Sequence, residues 1–285
     1  GVYHGVAASG ITGQYHFSSR GGRAWDQIIG KQNPDRWNFG QMPFRYSPPE
    51  GFRTLSATTL RTDQAGAILE SGKFFNAKKW TGDSSPTRKI TGLGFKPDAV
   101  WIKPITAVNQ HHLADSVRGA TTRVQISDNN IEETRSDCVK SFDMDGFTIG
   151  DNGAVNGGAD YIAWSWKANG AGSANTDGSI SSTVSANTTS GFSILEYTGT
   201  GASATIGHGL GAVPKMIIGK QTSGSANGWG IYHVSVGNDK GLAFDTATPS
   251  TNPFFDDTDP TSSVFSIGNT GRLNQSGETY IAYCF

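Results

Sequence analysis

The chain has 285 residues, a formal net charge of −1 and only 16% charged residues. A near-neutral chain offers no basic field to nucleic acid or to an anionic membrane surface, and no apolar run approaches the ~18 residues that would read as a membrane-spanning helix. Gly accounts for 38 residues, beside abundant Ser, Thr, Asn and Asp, a bias toward short strands joined by turns.

In chain order, residue 1 is Gly and no leader segment is visible, which reads as a processed or partial chain. Residues 1–57, rich in Gly, Arg and aromatics, read as a small N-terminal β-module. "SPPEGF" at Ser47–Phe52 marks its boundary. Residues 58–72 read as a linker with one short helical turn in "DQAGAILESG". A first globular unit follows over 73–168. Residues 169–190 read as a Gly/Ser/Thr/Asn-rich, extended connector, with "SISSTVS" able to add an edge strand. A second unit spans 191–285.

The two units are copies. "WTGDSSPTRKITGLGFKPDAVWIK" (Trp80–Lys103) aligns without a gap to "YTGTGASATIGHGLGAVPKMIIGK" (Tyr197–Lys220) at an offset of 117, as in Gly82 to Gly199. The offset drifts to 119 by "YIAWSW" (Tyr161–Trp166) against "YIAYCF" (Tyr280–Phe285). Such a period exceeds the roughly 20–50 residues of solenoid repeats and suits a duplicated domain. The glycines of "GLG" predict turn positions with positive φ. Pro97 and Pro214 precede short β-branched or aromatic runs, as at strand starts. "FTIG" and "FSIG" alternate as strands do. In the closing phrase, Tyr161, Ala163 and Ser165 share one face, and Ile162, Trp164 and Trp166 the other. The second copy matches that aromatic face with Ile281, Tyr283 and Phe285. Each aromatic face is read as core lining, with a sugar-stacking platform as the alternative. The expected fold is all-β: two homologous, jelly-roll-like β-sandwich domains in tandem after the N-terminal module.

No residue stands out as catalytic. Asp143 and Asp145 precede Gly146 in "FDMDGF", and Asp151 follows. Alternating oxygen ligands before a Gly suit calcium, but the remaining ligands are missing, so a hairpin turn is the preferred reading. "FFDDTDP" (Phe254–Pro260) reads as a solvated loop. The six histidines form no paired metal spacing, and no nucleophile elbow or phosphate loop is present. Cys138 and Cys284 are read as unpaired. No cofactor is expected. Trp229 and Tyr232 in "GWGIYH" are the candidates for stacking on a sugar, with core packing of at least one as the preferred reading. The terminal "YIAYCF" reads as an apolar strand needing cover, which argues for a homo-oligomer.

"GFKPDAVWIK", "DSVRGATT", "SFDMDGFTIG" and "YIAWSWKA", in this order, resemble a repeated domain of tail-fibre-type virion proteins of tailed bacteriophages, marine ones especially. "WNFGQMPFRYSPPEGFRTL" (Trp37–Leu55) resembles the end of the SPRY-type sandwich that precedes such repeats. The resemblance implies a non-enzymatic structural role in the virion, as a tail fibre or appendage, with host attachment as its purpose. It implies partners in itself, as a trimer, in other virion proteins and in a host surface glycan, without nucleic acid or membrane insertion. A carbohydrate-binding module or a capsid-decorating protein is the alternative. A glycan depolymerase is the weaker one, since it needs a convergent carboxylate pair and the chain has six Glu.

Overall fold

The computed structural model describes residues 70–244, 249–251 and 254–285. The N-terminal module at 1–57, with its SPRY-like segment, and nearly all of the 58–72 linker lie outside those residues. The described part is all-β. Its first half holds β1 (Phe75–Thr81), β2 (Arg88–Thr91), β3 (Ala99–Pro104), β4 (His112–Asp115), β5 (Gly119–Gln125), β6 (Glu133–Thr134), β7 (Val139–Asp143), β8 (Gly146–Ile149) and β9 (Asp160–Trp166). Its second half holds β10 (Ser173–Asn175), β11 (Ser182–Asn187), β12 (Phe192–Thr198), β13 (Ala204–Gly207), β14 (Met216–Gln221), β15 (Gly230–His233), β16 (Gly237–Leu242), β17 (Val264–Ile267) and β18 (Thr279–Cys284).

The same strand order occurs twice. A large sheet runs β1-β9-β3-β4-β5-β6 in the first half and β10-β11-β12-β18-β14-β15-β16 in the second, so that β1-β9-β3-β4-β5 answers to β12-β18-β14-β15-β16. A small sheet, β2-β8-β7 or β13-β17, covers one face of each. All these ladders are antiparallel. Local details recur too. Trp80 stacks on Tyr161 at 5.6 Å and Tyr197 on Tyr280 at 5.3 Å, both at 15°. The Tyr161 hydroxyl donates to the Gly153 carbonyl and accepts from the Gly157 N–H. That of Tyr280 donates to Gly271 and accepts from Gln275. Gly92, Gly94, Gly209 and Gly211 all have positive φ, between 68° and 84°, as turn glycines should.

Three cores hold the layers. Trp80, Ile102, Phe147, Ile149 and Tyr161 fill the space between the large and small sheets of the first half. Tyr197, Ile217, Phe265, Ile267 and Tyr280 do the same in the second. The third core lies between the two large sheets, where Ala99, Leu113, Val124 and Ile126 meet Ile194, Ile218, Ile231, Ile281 and Tyr283. Small, large, large and small sheets therefore stack as four layers, and the described residues belong to one compact unit. Fully burying an apolar side chain of this size stabilises by roughly 1.5–3 kcal/mol, so the third core couples the halves firmly.

Three sequence expectations change here. The segment 169–190 is not a bare connector, because β10 and β11 extend the second large sheet and β11 pairs with β12 over its full length. The closing phrase of the second copy is not an edge: β18 lies between β12 and β14 and is hydrogen-bonded on both sides. The aromatic face of β9 does not line the core within its own half, since Tyr161 and Ala163 do that. Trp166 instead meets Phe192 at 6.0 Å and Phe285 at 5.9 Å at the junction between halves. Both faces of a large sheet are covered at least in part, so alternation alone does not say which face meets which core.

Candidate functional site

The duplicated design leaves one face unequally covered. In β1 the side chains of Phe75, Ala77, Lys79 and Thr81 point away from the first core and are exposed. The register carries this face across β9 and β3. One row reads Ala77–Trp164–Trp101, and the next reads Lys79–Ile162–Lys103. Strands lie about 4.8 Å apart, so the Cα atoms of the two lysines are roughly 10 Å apart across β9. Trp164, Ile162, Trp101 and Lys103 are half-buried.

The aromatic rings form an angular cluster. Trp101 meets Trp164 edge-to-face at 5.7 Å and 69°, and meets Phe244, which is 43% exposed, at 6.0 Å. The Trp101 Nε1–H donates to His111 Nδ1 at 3.3 Å. That bond needs His111 neutral, and burial together with the nearby Lys103 holds its pKa below the ordinary imidazole value. Beside the cluster lies an open depression of about 850 Å3, lined by Lys103, Ile105, Asn109, Gln110, His111 and Ser127. The face thus combines indole planes, two ammonium groups, amides and an imidazole. These are suited to recognising a ligand by stacking and charge-assisted hydrogen bonds.

The residues singled out in the sequence lie elsewhere. Trp229 and Tyr232 are 1% and 2% exposed, so neither offers a ring face for stacking. Trp229 donates from Nε1 to the Gln125 carbonyl at 3.2 Å, joining the halves, and the Tyr232 hydroxyl donates to Asp259 at 3.1 Å. The three acids of the calcium-like segment act separately. Asp145 accepts the Gly94 and Gly92 N–H groups at 2.7 and 3.0 Å, and those bonds, Gly94 first, lower its pKa. It thereby fastens the "GLG" turn to the β7–β8 hairpin. Asp143 accepts from Thr148 and Ser141 at 2.6 and 2.8 Å, and Asp151 is exposed beyond β8. Among the described residues no three His, Cys, Asp or Glu side chains converge as a metal site. Cys138 and Cys284 are both free and buried. Sequence reasoning passed over Lys79, Lys103 and Trp101, and preferred core lining for Trp164. Lys79 was legible in part, because Trp80 aligns with Tyr197 and its neighbour must then point the other way. The pairing of Lys79 with Lys103 across Ile162 needed the register.

A buried ionic group ties the halves behind this face. Arg118 donates from Nε and Nη2 to Asp115 at 2.8 and 2.5 Å, and the Tyr283 hydroxyl of the other half donates to the same carboxylate at 2.8 Å. Burial opposes the charge on Arg118, but Asp115, Tyr283 and Glu132 outweigh it and hold its pKa above the ordinary value. Glu196, close to the group, has its pKa raised, first by burial and then by Glu132.

Fold and site together define an all-β, sandwich-like protein in which one antiparallel strand order recurs, with a half-exposed aromatic and cationic sheet face. The chain belongs to the family described as a domain of unknown function, DUF7483, whose model matches residues 70–285 and so takes in both large sheets. No curated protein and no solved structure matches the chain significantly.

Proposed function

We propose that this protein is a non-enzymatic structural component of a bacteriophage virion, a tail fibre or appendage that reaches the host surface. The observation that carries the reading is the third core. It fuses two sandwiches into one stiff body, and stiff bodies hold their end loops at a fixed distance. The ordered motifs from "GFKPDAVWIK" to "YIAWSWKA", which resemble tail-fibre-type repeats, supply the virion setting. Trimerisation and contacts with other virion proteins belong to the reading through that resemblance alone, because β18 is an internal strand and supplies no open edge. The test is compositional. Particles purified from a lysate of the host should contain the chain at a fixed copy number by mass spectrometry, and antibody-gold should label tails. A chain found only in the soluble fraction, or label confined to heads, would overturn the tail assignment.

A carbohydrate-binding module is the second reading. The half-exposed rings of Trp101 and Trp164 favour it, rather than the buried Trp229 and Tyr232.

A further inference from the structure

We propose that the part of the junction-side face of β1, β9 and β3 that the second half leaves half-exposed binds an acidic saccharide, pyranose rings carrying carboxylate or sulfate groups. Trp164 and Trp101 would be the stacking surfaces, and Lys79 and Lys103 the anion partners. The proposal deepens the surface-contact reading above and rests on it only for the source of the saccharide.

The internal duplication supplies the sharpest argument. Lys79, Ile162 and Lys103 form one row across three strands. The same row in the second copy is Glu196, Ile281 and Lys220. There it is turned into the junction, with Lys220 fully buried and its ammonium donating to the Asn129 carbonyl at 2.8 Å. The covered copy thus sets an acid and a base either side of the isoleucine. The open copy sets two bases. Two like charges on one row repel each other, and among the described residues neither lysine has a carboxylate within salt-bridge distance. The nearest acid of that face, Asp160, accepts from Thr81 Oγ1 at 2.6 Å. An anionic ligand bridging the two ammonium groups would remove the repulsion.

The rings decide what sort of anion fits. Trp164 and Trp101 stand at 69° to each other one row from the lysines, and Phe244 extends the cluster. The Trp101 N–H is held by His111, which fixes the indole in place. Apolar ring faces beside cations match a sugar ring with its acidic substituent, whereas a small inorganic anion would leave the indoles idle. Nucleic acid also stacks on aromatics between cations, but a chain of net charge −1 lacks the field that such binding draws on.

The test is calorimetric titration of the 285-residue chain with four probes: an alginate oligosaccharide carrying carboxylates, a carrageenan oligosaccharide carrying sulfates, neutral maltohexaose and a short oligothymidylate. Binding of one or both acidic saccharides is expected, with the stronger identifying the source, and it should weaken as salt is raised. Lys79→Glu, which installs the second copy's residue at an exposed position, and the double change Lys79→Gln, Lys103→Gln should each weaken it about tenfold or more and flatten the salt dependence. Trp164→Ala should weaken it by a similar factor, and Trp164→Phe should restore part. Unchanged melting temperatures for the Lys79 variant separate loss of binding from loss of fold. The proposal fails if neither acidic saccharide binds at millimolar concentration, if the lysine variants bind as the wild type does, if maltohexaose binds as tightly, or if oligothymidylate binds more tightly. None of these results would alter the particle-composition test of the virion reading.

Discussion

Gly82 and Gly199 hold equivalent places in the two copies, and each sits where a ring and a backbone leave no room. A Cβ on Gly82 would fall 1.6 Å from the Gly157 carbonyl oxygen and 2.8 Å from the Tyr161 ring. On Gly199 it would fall 2.5 Å from the Gln275 oxygen and 3.0 Å from the Tyr280 ring. Gly82→Ala should therefore destabilise by about 1–3 kcal/mol, the usual cost of forced overpacking, and Gly199→Ala somewhat less. Denaturant melts would check both, and a neutral Gly82→Ala would contradict the close approach. A second residue gives a pH signature. Burial and Glu132 raise the Glu196 carboxyl in the presence of Asp115 and Arg118, so the fold favours its protonated form. That contribution is complete below the ordinary carboxylate range and is lost as pH rises through the raised folded value. Glu196→Gln should match the wild type near pH 4 and exceed it in stability near pH 8. The opposite order would refute the assignment. At this scale the turn glycines were readable, because positive φ is a local demand. The partners that bury Trp229 were not, because Gln125 lies in β5 of the other half and Phe244 in the turn after β16.

Among the elements, β9 shows what alternation can and cannot say. The period of two was evident in "YIAWSW", yet the residues that fill the core are Tyr161 and Ala163, not the tryptophans. A large aromatic usually marks the inward face, but here both faces of the sheet are covered in part, and the tryptophans lie where cover runs out. Tyr161→Ala should cost about 3–5 kcal/mol, as for a buried aromatic. Trp164→Ala should cost clearly less, since its ring is half-buried. Thermal melts of the two variants side by side would reverse the picture if Trp164 proved the more costly. The segment 169–190 was misread for a related reason. Its low hydrophobicity reflects a place toward the sheet edge, where β10 and β11 add hydrogen bonds while only Ile180 and Val184, with Ala186 beside them, reach the core.

For the molecule as a whole, the duplication was legible in a repeated register of glycines, prolines and closing phrases. That the copies share a core was not, because the apolar residues of that core are the ordinary alternate positions of their strands. A shared core predicts one cooperative transition for residues 70–285 rather than two. Tyr283→Phe should lower that single transition by roughly 1.5–3 kcal/mol, since it removes a hydroxyl bonded to the buried Asp115–Arg118 pair. Two separated calorimetric peaks would show that the halves melt alone.

In each half the last strand to be synthesised enters between two strands made earlier: β9 between β1 and β3, β18 between β12 and β14. Until that strand leaves the ribosome, its two neighbours have facing edges and no partner for them. Every nascent chain therefore passes twice through a state with a vacant central slot, and the slot accepts any apolar extended segment of matching length. The closing phrases "YIAWSW" and "YIAYCF" are nearly alike, so the strand of one copy is a fair mimic for that of the other. Crowded synthesis would then favour exchange of closing strands between copies or between neighbouring chains. Removing residues 279–285 should leave the second slot permanently open and turn a well-behaved chain into one recovered mainly as aggregate.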